Sequence, residues 1–99
     1  MPKSHELLPA AQDDLEEIIS YIFEDNPRAA YTTRQRFEEA FEKLALNPYM
    51  GHKRGNITSL PVRFWNVFSY QIIYKPDSDP LEILRILSGY RDLDMMLND

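Results

Sequence analysis

Apolar positions recur at two different periods along the chain, and the change of period divides it into a helical front and a sheet-forming back. Ala11, Leu15, Ile18, Ile19 and Ile22 follow helical spacing, with Asp13, Asp14, Glu16 and Glu17 between them. The spacing predicts a helix over 9–24, with Pro9 at its first position and the acids on a solvated face. Asn26-Pro27 breaks the pattern, as a cap followed by a helix-starting proline. A second helix is expected over 27–46. Ala30, Phe37, Ala40, Phe41 and Leu44 mark one face; Arg34, Glu38, Glu39, Glu42 and Lys43 mark the other. So short a link makes the two helices fold back as a hairpin.

After Asn47-Pro48 comes a loop, NPYMGHKRGNITS. The period then becomes two. Leu60, Val62, Phe64, Asn66 and Phe68 alternate with Pro61, Arg63, Trp65 and Val67; Tyr70, Ile72 and Tyr74 alternate with Gln71, Ile73 and Lys75. A tight turn near 66–69 joins the two runs. PDSDP is a second turn. LEILRILS, apolar on both sides, suits a central strand. Residues 4–8, SHELL, form a short strand, and RDLDMMLND ends the chain as a short helix or tail. The predicted order is β-α-α-β-β-β: an α+β fold with a helical hairpin on a small, mostly antiparallel sheet. Ninety-nine residues make one domain, 1–99.

Composition narrows the chemistry. Cysteine is absent, which removes disulfides, thiolate metal sites and a cysteine nucleophile. His5 and His52 are too far apart for a local metal motif, and nothing else calls for a metal or cofactor. No apolar run is long enough for a membrane span, and no signal-peptide block opens the chain, so a soluble cytoplasmic protein is expected. The formal charge is −5, which argues against tight non-specific binding to a phosphate backbone. Its distribution is uneven: residues 1–46 carry −5, 47–91 carry +3, and the last eight carry −3. An acidic protein with one basic face can meet an acidic partner there.

Several segments together carry a family resemblance: AAQDDLEEIISYI, then NPRAA, L-x-x-NP-x-x-G, PVRFWNVFSYQIIY, and LEILRILSGYRDLDMML with Gly89 and Arg91-Asp92. In this order the chain resembles the RelE/ParE superfamily of toxins from bacterial toxin–antitoxin pairs, and within it the ParE branch of plasmid stabilisation proteins. The resemblance implies the toxin fold and a small antitoxin that wraps it. It implies DNA gyrase as the target for a ParE-like member, or mRNA on the ribosome for a RelE-like one. Arg91 matches the C-terminal arginine of the nucleases. Gln71, Leu97 and Ser88 stand where nuclease relatives carry an arginine, a tyrosine and a histidine.

Cleaving RNA needs a base, an acid and positive charge on the phosphate. Lys53, Arg54, Arg63 and Arg91 supply charge, and His52 or a carboxylate is the candidate base. The reading that follows is a gyrase-inhibiting binder rather than an enzyme. An mRNA endoribonuclease and an inactive, antitoxin-binding relative are the alternatives. Arg63, Arg85, Tyr90 and Arg91 are target-binding candidates, although Arg63 also suits stacking on aromatic neighbours and Arg85 suits pairing with an acid such as Asp92. Tyr70, Tyr74 and Tyr90 suit either cross-strand packing or base stacking. Phe37, Phe41, Trp65, Met95 and Met96 are antitoxin-binding candidates.

Overall fold

A computed structural model describes residues 4–56 and 58–88. Arg91, Tyr90, Met95 and Met96 lie outside the described residues. The elements run β1 (His5–Leu7), α1 (Pro9–Asp25), α2 (Pro27–Leu46), β2 (Arg63–Val67), β3 (Tyr70–Lys75) and β4 (Leu81–Ser88). The α+β order predicted from the pattern is the order found.

Pro9 opens α1, as its fixed φ and missing N–H favour. Asn26 serves both helices. Its backbone N–H donates to Ile22 O at 2.8 Å, and its side-chain oxygen accepts from Ala29 N at 3.1 Å. Across the fold-back, Arg34 of α2 meets Glu16 of α1 at 3.2 Å.

The sheet order is β1-β4-β3-β2, with β1 parallel to β4 and the other pairs antiparallel. The β2–β3 turn is Phe68-Ser69. Phe68 sits at φ 55°, where bulky residues rarely go. Strand β2 is shorter than the alternation suggested. Pro61 has no N–H, and Val62 N turns back onto Leu60 O at 2.8 Å, so pairing begins at Arg63. Leu60 and Phe68, expected on one strand face, are 51% and 62% exposed.

The helices cover one sheet face. Leu15, Phe37, Phe41 and Leu44 pack there against Val67, Ile72, Tyr74, Ile83 and Ile86. Phe37 and Phe41 are completely buried. They were expected at the antitoxin surface; instead they fill the core, because the apolar stripe of α2 is needed against the sheet. A second cluster joins Val62, Phe64, Ile73 and Leu87, whose strand positions alternate with those of the first. Between Ile73 and Tyr74 the β3–β4 register slips by one residue. The extra residue in β4 resets its alternation, so Ile83 and Ile86, three apart, both join the helix-side core. No helix among the described residues is long and apolar enough to cross a membrane.

Candidate functional site

The loop between α2 and β2 is anchored from below by Tyr74. This ring is fully buried, its hydroxyl donates to Pro48 O at 2.7 Å, and it accepts from Gly51 N at 2.9 Å. Burial raises its pKa above 10.0, which keeps the proton needed for the bond to Pro48. Gly51 is required by contact rather than by dihedral: a Cβ there would lie 2.3 Å from the Tyr74 hydroxyl. Tyr74 is thus a packing and anchoring residue, not a stacking platform. Tyr70 packs against Phe37, with ring centroids 5.8 Å apart.

Arg63 holds the same loop from β2. Its Nη1 donates to Gly51 O at 2.8 Å and to Tyr49 O at 3.4 Å, and its guanidinium lies 5.1 Å from the Tyr49 ring centre. The Tyr49 hydroxyl donates to Asp77 in the β3–β4 turn, which raises the tyrosine pKa. The Nε of Arg63 is buried without an acceptor. The ring that Arg63 meets is Tyr49, and Arg63 also supports the loop, a role not read from the sequence, while its Nε remains unused.

A cleft of about 420 Å³ opens between this loop and the β3–β4 turn. Lys53, Arg54, Arg63, Thr58, Ser59 and Asp77 are among the residues that line it. Three of the cations singled out in the sequence therefore meet in one place. His52 does not join them among the lining residues. Its backbone exchanges two 2.8 Å hydrogen bonds with Phe64, and its ring stacks on Trp65 at 6.2 Å. The expected proton-transfer residue thus faces Trp65 rather than the lysine–arginine cluster. The cleft offers cationic and hydroxyl donors, which suits holding an anion. Among the described residues no three metal-ligating side chains converge.

Arg85 lies elsewhere, on β4. Its Nε and Nη2 grip Asp14 of α1 at 2.7 and 3.0 Å, and Asp14 also accepts from Ile86 N at 3.0 Å. The hydrogen bond to Asp14 raises the Arg85 pKa further. The acid partner expected for Arg85 was Asp92; the partner found is Asp14. Asp14 itself was assigned to the solvated face, and its side chain is only 13% exposed. The signal was present in the sequence, because position 14 lies three residues from Ala11 and four from Ile18, on the buried stripe.

Trp65 is half-buried and lines a shallower groove of about 240 Å³ with Arg36, Lys43, Val67 and Phe68. Gln71, at the position of the nuclease arginine, is 6% exposed, and its Oε1 has no partner.

With this geometry in hand, the comparisons with known proteins agree with one another. A family model described as the ParE toxin of the type II toxin–antitoxin system, parDE, matches residues 6–93. Toxin ParE3 of Caulobacter vibrioides is 28% identical over 81 residues, 81% of this chain and 80% of that protein. A solved structure of a chromosomal ParDE toxin–antitoxin system from P. aeruginosa shares the fold. Its TM-score is 0.70 at 21% identity, over 88% of this chain and 96% of the other.

Proposed function

The chain belongs to the ParE toxin family of type II toxin–antitoxin systems, and from that premise we propose that it arrests growth by binding and inhibiting DNA gyrase. A cognate antitoxin silences it. The observation that carries binding over cleavage is the parting of His52 from Lys53, Arg54 and Arg63. Positive charge gathers in the cleft while His52 turns to Trp65, and the carboxylate that lines the cleft, Asp77, is engaged by the Tyr49 hydroxyl. Charge alone can hold a phosphate, but cutting RNA also needs a placed base and acid. Replacement of the nuclease arginine by a buried glutamine supports the same reading.

For the antitoxin, Trp65 is the described candidate that keeps an open side. Its groove places Arg36 and Lys43, with one carboxylate, Glu39, beside apolar Val67 and Phe68. That suits an amphipathic segment with acidic residues along its rim.

Induced expression, with plasmid supercoiling and mRNA integrity followed in the same cultures, tests the reading. Arrest with relaxed or cleaved DNA and intact mRNA is expected. Arrest with fragmented mRNA overturns it in favour of a nuclease, and no arrest favours an inactive relative. With purified components, the protein slows gyrase supercoiling or traps cleaved DNA; neither effect at excess toxin removes the gyrase claim.

A further inference from the structure

We propose that the cleft beside the β3–β4 turn is a phosphodiester site, which seats a backbone phosphate of duplex DNA against Lys53, Arg54 and Arg63. The choice of DNA as the source of the phosphate rests on the gyrase reading above. The anion chemistry rests on the cleft itself.

Charge is the first argument. Among the described residues, three cations line the cleft against one carboxylate, Asp77, in a chain whose net charge is −5. The overall charge disfavours non-specific coating of DNA, so any phosphate contact must be local, and this cleft concentrates the charge for one. The second argument is the state of Arg63. Among the described residues, only its Nη1 is spent on the loop carbonyls, and its Nε is shielded from water without an acceptor. Among the described residues it has no carboxylate within ion-pair distance. A partly desolvated guanidinium without a counter-charge is costly, and an incoming anion offsets that cost.

The third argument separates phosphate from carboxylate. A carboxylate offers two oxygens in a plane and is matched by a single arginine fork. Here cations from the loop and from β2 approach one volume, and Thr58 and Ser59 add hydroxyl donors. Donors spread around a volume suit the oxygens of a phosphate group. Leu60, half exposed at the rim, offers an apolar rest for the attached sugar.

The test is fluorescence anisotropy with a labelled 30-base-pair DNA duplex, salt titrated, using the full chain. Single-stranded RNA of the same sequence and an acidic peptide are the competing probes. Lys53→Glu and Arg54→Glu are each expected to weaken duplex binding at least about tenfold and to flatten the dependence of log affinity on log salt by about one unit. Arg28→Glu, an exposed change on α2, is expected to leave both unchanged. Circular dichroism confirms that each variant is folded. Folded cleft variants that bind like the wild type overturn the proposal, as does tighter binding to the RNA or to the peptide. Gyrase supercoiling is assayed beside it. If the wild type and Lys53→Glu inhibit equally, the cleft proposal falls and the gyrase reading stands. If the wild type does not inhibit while duplex binding still depends on Lys53, the gyrase reading falls and the phosphate site stands.

Discussion

The two edges of the sheet are closed by different means. On the β1 side, that three-residue strand covers only Leu81–Ile83 of β4, and beyond its end the Asp14 carboxylate takes the N–H of Ile86 while gripping Arg85. At the β2 edge, a single loop residue, His52, covers Phe64 through its backbone, and the loop is pinned from beneath by Tyr74 and Arg63. Exposed strand edges invite unwanted pairing, so both closures matter. Beyond the short β1 pairing, the first depends on one ionised side chain, Asp14. The second depends on backbone geometry and tolerates side-chain change at the edge itself. The closure built on Asp14 and Arg85 does not involve the cleft residues, whereas the tolerant one lies next to Lys53, which lines the cleft.

The contrast can be broken most directly at Asp14. Asp14→Ala strips the partner from Arg85 and orphans Ile86 N, at an expected cost of about 3 kcal/mol in urea unfolding. Asp14→Asn, which keeps one acceptor, is expected to cost about half as much. Equal losses in the two variants would mean that charge, and not the acceptor to Ile86, closes that edge. On the opposite side, Gly51→Ala drives a methyl into the Tyr74 hydroxyl and is expected to cost about 2 kcal/mol. A neutral outcome would show that the loop is not pinned through this contact.

Tyr74→Phe comes next, at about 1 kcal/mol near neutral pH. It also sharpens the comparison through pH. The folded pKa of Tyr74 lies above 10.0, so its contribution is fully present below pH 10 and is lost as pH rises through the folded value. Unfolding followed from pH 8 to 11 should therefore show an alkaline loss in the wild type that is reduced in the phenylalanine variant. The smallest effect belongs to His52→Ala, under about 0.5 kcal/mol, because the edge is bridged by backbone. A loss above about 1 kcal/mol would shift the credit to the ring stacked on Trp65.

The two helices, the hairpin and the central position of β4 were legible because each rests on a local rule: a period, a cap or a turn. What stayed hidden depends on distance in sequence. Asp14 and Arg85 are 71 positions apart, and no local pattern pairs them. The bulge that returns Ile86 to the helix side cannot be read from an apolar run whose two faces look alike. Lys53, Arg54 and Arg63 were singled out by type, and the loop fold brings them together. Phe37 and Phe41 are antitoxin-binding candidates by type, because large aromatics suit interfaces as well as cores, and only the closed sheet decides between the two.

The parallel pairing of β1 with β4 has a kinetic consequence. His5 meets Leu81, so the two partners are 76 positions apart, and the helical hairpin and the β2–β3 hairpin both lie between them. Loop closure over such a span is slow relative to forming a helix or a hairpin. A chain still emerging from the ribosome can build α1, α2 and the β2–β3 hairpin, but Leu7 and Leu8 wait for a strand that has yet to be made. The sheet is therefore sealed only once β4 is made, and until then the edge of β3 lies open.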